Sequence, residues 1–434
     1  MRKYVLLLLL LPALLLAAAC TPDPADGSLP ADASSDAVSA PEKPYQTAQV
    51  YIDCPTDITK DAYVQAAVRI VDPNGRFAEI DDGEATVKVR GNSTSSGAKK
   101  PYNIKLSSKK DVLGMGRAKK WCLLANLYDK TMLRNKLSYD FAAEIGMDYV
   151  SSCEFAELYL NGVYRGCYLL TEAVEIGETR VDLLEDGNEF LLEYEPYPGY
   201  SNPISFYTPY YDLLLGFNDP TDPAPSQQRW VKDFFREAEA ALATGSRERI
   251  EQYFDIDSFV DSFIVNELFK NVDYSTSSTR FYIRGGKLYA GPIWDLDLSS
   301  GNADADYYPE YHNERGSEDR FASCEGLYCD RLWNAALLHY EWFFDCVRTR
   351  YAALSPAIEA LTTDAAEGQN KIDALLSRYG DALYRNYDEA GWSITEKYSD
   401  YERIPFPTYE ENVEYLREWL IRRHAWLKSY LGLT

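Results

Sequence analysis

The sequence predicts an α+β fold, strand-rich in its N-terminal part, helical in its C-terminal part, with two lobes around a cleft. Three observations carry this. Between residues 47 and 194, β-branched and aromatic runs are broken by Gly, Pro and Asp. Beyond about residue 229, apolar residues recur at helical spacing. Hydrophobic residues make up 46% of the 434 residues, enough to build a sizeable core and to exclude wholesale disorder. The approximate lobes are residues 47–194 and 195–434.

Taken in order, strands are expected at 48–52, 85–90 and 102–106. A helix over 129–145 follows, because Leu133, Leu137, Phe141 and Ile145 repeat every fourth position. Strands return at 155–160 and 164–171, joined by an Asn161-Gly162 hairpin turn. Another strand is expected at 190–194, and 195–225, rich in Pro and Tyr, reads as a long irregular surface segment. An amphipathic helix covers 229–242, and a second runs from 256 or 257 to 269. Residues 280–283 and 287–290 form a hairpin turning at Gly285-Gly286. Helices resume at 332–354 and 364–379. The last helix spans 410–431, with Trp419, Leu420, Trp426 and Leu427 suited to docking on a core. No internal repeat of solenoid or propeller length is present.

The first twenty residues read as an address. Arg2 and Lys3 precede an aliphatic run from 5 to 16, then Ala17, Ala18, Ala19 and Cys20. This is a secretory signal pattern, too short for a spanning helix. Small residues before a cysteine resemble a bacterial lipobox, although the commonest form has Leu where this chain has Ala17. Lipidation at Cys20 is expected, with the acyl chains anchoring the protein to a bacterial membrane on its extracytoplasmic side. Ordinary cleavage at an Ala-x-Ala site is the alternative. Residues 21–46 are rich in Pro, Ala, Ser and Asp and read as a disordered tether. The folded part is then 47–434.

Charge excludes one function class. With 44 Lys+Arg against 68 Asp+Glu the net charge is −24, so no nucleic-acid partner is expected. The three histidines, His312, His339 and His424, are far apart in sequence and suggest no His-rich metal site. Of eight cysteines, seven follow Cys20. Export permits disulfides, and Cys324 and Cys329 are close enough in sequence to close locally, whereas Cys122 and Cys167 read as buried thiols.

Three stretches are able to carry chemistry. Arg90-Gly91-Asn92-Ser93-Thr94, followed by Lys99, Lys100 and Lys105, joins small residues that let backbone N–H groups approach an anion to a local positive charge. A plain hairpin tip with surface lysines is the competing reading. Asn266-Glu267 with Asn271 and Asp273 places a carboxylate beside amides at a helix end. Trp294-Asp295-Leu296-Asp297 offers two carboxylates which, were a strand to continue this far, would point to one side and suit a hard divalent cation. A calcium loop fits less well, since the glycine comes one place late and no Glu closes it. An acidic turn without ligand is the third reading.

In their order and spacing these stretches resemble the CotH kinase family, atypical secreted relatives of protein kinases named for a spore-coat protein. The resemblance also rests on Trp121-Cys122-Leu123-Leu124-Ala125-Asn126, Arg134-Asn135, and Glu157 to Gly162 leading to Gly166, Tyr168 and Glu172, then Gly291-Pro292-Ile293. It covers roughly residues 80–430. It implies a two-lobed, kinase-like fold and a phosphotransferase using ATP with Mg²⁺ or Mn²⁺, acting on Ser/Thr of surface proteins or of itself. By the same resemblance Asp273 is the catalytic aspartate. Asp295 and Asp297 are the metal pair, and Asn271 positions Asp273 or shares the metal. Arg90, Lys100 and Lys105 hold phosphates, Glu172 orients one of these cations, and Trp294 belongs to the nucleotide pocket or to the core. The alternatives are a catalytically silent surface adhesion or scaffold protein, for which the 35 tyrosines provide contact surface, and a carbohydrate-active enzyme.

Overall fold

Alternating apolar residues decide the first half of the chain. In β1 (Ala48–Asp53) the side chains of Ala48, Val50 and Ile52 are buried and those between are not. The same period runs through most of β2 (Val64–Val71), β3 (Ile80–Val89) and β4 (Tyr102–Asp111), whereas β5 (Arg117–Leu124) ends in four buried residues, Trp121 to Leu124. With β6 (Cys153–Leu160) and β7 (Val163–Glu172) these strands close into a seven-stranded barrel of order β1-β2-β3-β4-β5-β7-β6. Closure is the parallel pairing of β1 with β6, from Ala48↔Ala156 to Ile52↔Leu160. Closure removes the unpaired edges that would otherwise template association. The inward residues include Val87, Ile104, Leu158 and the fully buried Trp121. β6 and β7 turn at Asn161-Gly162, both with positive φ as a two-residue hairpin requires. The structure is a computed structural model describing residues 44–184, 187–312, 319–365 and 368–433.

Between β5 and β6 lies α1 (Arg134–Glu144). It starts five residues later than the i, i+4 pattern predicts. The Asp129 carboxylate accepts the backbone N–H groups of Thr131 and Arg134, holding 129–133 as a turn.

After the barrel, β8 (Phe190–Tyr194), β9 (Ser205–Tyr207), β10 (Leu214–Asp219), β11 (Arg280–Arg284) and β12 (Lys287–Ala290) form a second sheet of order β12-β11-β8-β10-β9. β9 and β10 correct the expectation of an irregular 195–225. β10 is an apolar run, Leu214 to Phe217, buried between β8 and β9, and its lack of alternation hid it. The boundary at 194 coincides with the end of β8, whose partners β10 and β11 both come later in the chain.

The remaining helices are α2 (Pro225–Leu242), α3 (Arg247–Ile250), α4 (Ile256–Phe269), α5 (Asn334–Leu337), α6 (Glu341–Glu359), α7 (Lys371–Asp388) and α8 (Tyr409–Tyr430). The single helix expected at 332–354 is two, because Tyr340 takes an extended conformation as the N-cap of α6. The helix expected at 364–379 is α7, begun by the Asn370 side chain accepting the Asp373 N–H. The result is a mixed α+β fold. Among the described residues no helix is long and apolar enough to cross a membrane.

α4 and α8 are clamped by a buried ion pair, Glu267 with Arg423, both almost wholly inaccessible. Glu267 also accepts the N–H groups of Tyr328 (2.9 Å) and Cys329 (2.6 Å). Arg423 donates to the carbonyls of Cys324 (2.9 Å) and Gly326 (2.8 Å). Lys270, whose positive φ ends α4, donates to the carbonyls of Ser323 and Glu325. Three charged side chains thus staple the loop from 323 to 329 beneath the end of α4. The local Cys324–Cys329 closure is not made: all seven described cysteines are free, and these two thiols face the carbonyls of Trp419 and Asn271.

Replacing Arg423 by Ala leaves the Glu267 carboxylate buried without its counter-charge. It is expected to cost about 3–5 kcal/mol in urea unfolding. A loss under about 1 kcal/mol would show that the two N–H donors alone carry Glu267.

Candidate active site

The chemistry-bearing stretches meet in one cavity of about 850 Å³ between the outer face of the barrel and the second sheet. Lys88, Asn103 and Cys122 are cross-strand neighbours on β3, β4 and β5, and all three line it. They alternate with the inward residues of the same strands, so the barrel's outside forms one wall. Arg90, Gly91, Asn92, Ser93 and Thr94 follow β3 at its rim. Gly91 has φ +87°, and a Cβ there would stand 2.1 Å from the Thr94 hydroxyl oxygen, so the turn requires glycine.

The opposite wall carries the carboxylates. Asp273, Asp295 and Asp297 all line the cavity. α4 ends at Lys270, and Asn271 turns the chain back: its amide donates to Asn266 Oδ1 (2.9 Å) and its Oδ1 accepts the Asp273 N–H (3.1 Å). Asn271 therefore orients Asp273 and does not line the cavity.

The Asp295–Asp297 stretch is not a strand. β12 ends at Ala290, and Asp295 has φ 65°. Side chains of α1 hold this turn. The Asp295 N–H donates to the Tyr139 hydroxyl (3.1 Å) and the Leu296 N–H to Asn135 Oδ1 (2.7 Å). Arg134, paired with Asp129 at 2.6 Å, donates to the carbonyls of Ser299 (2.9 Å) and Ser300 (3.2 Å). Trp294 stacks on Tyr139 with ring centres 6.0 Å apart. Its ring also lies under the Arg90 guanidinium at 5.3 Å.

The chain matches the family described as CotH kinase protein over residues 87–427. It belongs to the CotH family. Inner spore coat protein H of Bacillus subtilis (strain 168) is 33% identical over 119 residues, covering 27% of this chain and 30% of that relative.

In this CotH protein the expected cations divide. Arg90 lines the cavity. Lys100 does not: it reaches back to the Ser95 carbonyl (2.8 Å) and braces the loop that carries Arg90. Lys105 also stays outside the lining. It is exposed on the same face of β4 as Asn103, one rung further along, opposite Thr86 and Lys120. Glu172 orients a cation, but the cation is Arg180, while its other oxygen accepts the Ser152 N–H (2.7 Å). Lys99 is fully buried, donating to the carbonyls of Ala125 and Cys167 and to Asn386 of α7, and burial pulls its amine down to about 7. Cavity cations beyond those expected are Lys60, Lys88, Lys120 and Arg280. They lie on separate segments of the chain, and only strand register and packing gather them.

Burial, with neighbouring negative charge, raises two of the carboxylates. Burial, then the charge of Asp295, pushes Asp273 up to about 8. Burial, then Asp295 and Asp273, holds Asp297 well above the usual carboxylate range. Among the described residues no three His, Cys, Asp or Glu side chains cluster tightly enough to hold a metal by themselves. Asp295 and Asp297, both on the cavity wall, are hard oxygen donors of the kind a divalent cation takes.

For Asp273 the folded pKa lies above the unfolded one. Its contribution to stability is therefore whole below about pH 4 and is lost as pH rises towards about 8. Asp273→Asn removes this loss. In metal-free buffer the variant should melt above the wild type at pH 8.5, by on the order of 2 °C, with a smaller difference at pH 4. Equal melting temperatures at both pH values would mean that Asp273 is not held in a repulsive field.

Proposed function

We propose that this CotH protein is a metal-dependent, kinase-like phosphotransferase that moves the γ-phosphoryl group of ATP to a Ser or Thr hydroxyl of a surface protein or of itself. The observation that carries this reading is the convergence of Asp273, Asp295 and Asp297 on the cavity that also holds Arg90 and Trp294. Phosphoryl transfer needs little covalent help from a protein. It needs positioning, neutralised charge and an aspartate near the acceptor.

Asp273 is placed for the acceptor. As a carboxylate, the form a nearby bound cation would favour, it accepts a hydrogen bond from the hydroxyl; its raised proton affinity then suits it to hold the proton as the oxygen attacks phosphorus and the bond to the leaving ADP breaks. Asn271 fixes its backbone. Asp295 and Asp297 would hold Mg²⁺ or Mn²⁺, which when bound would neutralise phosphate charge. Arg90 meets the phosphates, and Trp294, buried against Tyr139 and Arg90, forms part of the cavity wall beside them. The barrel and the helical part take the places of the two lobes of a protein kinase. An extracytoplasmic position, anchored through lipid on Cys20, accompanies this reading.

A silent surface or scaffold protein is the second reading. Tyr197, Tyr207 and Tyr210 favour it, being more than half exposed in and around the edge strand β9.

The test is phosphotransfer from labelled ATP by the full chain, with Mg²⁺ or Mn²⁺, into the protein and a Ser/Thr-rich acceptor. Asp273→Ala and Asp297→Ala should each lower the rate by about 100-fold or more while keeping the wild-type circular dichroism spectrum. No transfer by wild-type protein, with no metal-dependent ATP binding in calorimetry, would sink the enzyme reading in favour of the scaffold.

A further inference from the structure

Arg280 opens β11 directly across from Glu193 of β8. Its side chain is 9% exposed and lines the cavity. One terminal nitrogen lies 3.2 Å from Glu193 Oε1, and the other donates to the Ser278 carbonyl at 3.1 Å. The guanidinium carbon stands 5.4 Å from the Trp294 ring centre, so Trp294 contacts both Arg280 and Arg90. Its Nε is buried and has no hydrogen-bond partner among the described residues.

An unmet N–H on a buried guanidinium is costly, and native structures rarely leave one without a reason. Glu193 does not supply the missing acceptor. Its other oxygen is shared by the side-chain amides of Asn202 (3.2 Å) and Asn218 (3.4 Å). What stands next to Arg280 is the carboxylate end of the cavity. Ser278, whose carbonyl Arg280 holds, donates its hydroxyl to Asp295 Oδ2 at 3.3 Å.

We propose that Arg280 and Arg90, both in contact with Trp294 and both lining the cavity, form an anion subsite that binds a polyphosphate chain beside Asp295. Planar guanidinium groups suit phosphate oxygens in fixed directions, and Arg280 is already immobilised by Ser278 and Glu193. Glu193 restrains the subsite, since its charge opposes the incoming anion. The identification of the anion as the phosphate chain of a nucleotide rests on the kinase reading. The existence of the subsite does not.

The experiment is calorimetric titration of the full chain with inorganic tripolyphosphate and, separately, with ATP, both with Mg²⁺. Arg280→Gln should weaken tripolyphosphate binding about tenfold or more. Arg280→Lys keeps a charge but loses the planar guanidinium fork, so it should recover only part of this. Glu193→Gln should tighten binding severalfold, by leaving the Arg280 charge unopposed. No tripolyphosphate binding by the wild-type protein would overturn the proposal. So would wild-type affinity in a folded Arg280→Gln protein. If that variant does not fold, Glu193→Gln decides: tighter binding supports the subsite, and equal or weaker binding overturns it. The two readings fail separately. Tripolyphosphate binding that depends on Arg280, in a protein that transfers no phosphate, would sink the kinase reading and leave the subsite standing. Phosphotransfer by Arg280→Gln with unchanged KM for ATP would sink the subsite alone.

Discussion

Arg134 sits at the first position of α1, buried, with its guanidinium shared among three places in the chain. It pairs with Asp129 in the turn after β5 and donates to the carbonyls of Ser299 and Ser300, about 165 residues away. Asn135 and Tyr139, on the same helix, accept the N–H groups of Leu296 and Asp295. One short helix therefore sets the path of 295–300, a segment with no regular secondary structure of its own. The close approach of α8 completes it: a Cβ on Gly301 would stand 2.5 Å from Trp419 and from the Tyr415 hydroxyl. Irregular backbone buried this deeply needs side-chain partners for its polar groups, and α1 provides them. Both the position of Asp297 and its distance in chemistry from an ordinary surface acid follow from that arrangement.

The cavity is built against its own electrostatic preference. Asp273 and Asp297 are held where burial and the charge of Asp295 favour the protonated form. A fold optimised only for stability would place amides there. Such destabilised groups concentrate at functional sites, because a site ready for a cation and a proton cannot also be electrostatically relaxed. The surrounding structure compensates at a distance. The Glu267–Arg423 pair, the Lys270 contacts and the closed barrel rigidify the frame without touching the cavity wall that carries the carboxylates. Arg280 shows the same logic with the opposite sign, a cation fixed by Ser278 and Glu193 yet left with one donor unmet.

Local pattern made much of this legible. The β6–β7 hairpin follows from Asn161-Gly162 between strand runs, α2 from its amphipathic spacing, and Asp273, Asp295 and Asp297 from the order of short motifs. β10 was missed because a strand buried on both faces does not alternate. The first turn expected of α1 was lost to the Asp129 side chain, which competes with helical hydrogen bonding. Lys99, Lys100 and Lys105 look equivalent in sequence and end in three environments: a buried tether to α7, a brace on the Arg90 loop, and solvent.

The sequence by itself determined the mixed α+β class, the family and the three acidic residues, since periodicity and motif order are properties of neighbours along the chain. Only the tertiary structure decided which cations face those acids. A side chain's place around a closed barrel depends on strand register, and register is settled between residues far apart in sequence. Lys88, Lys120 and Arg280 share a cavity with Asp273 because β3, β5 and β11 are held there by pairings and packing that no local pattern encodes.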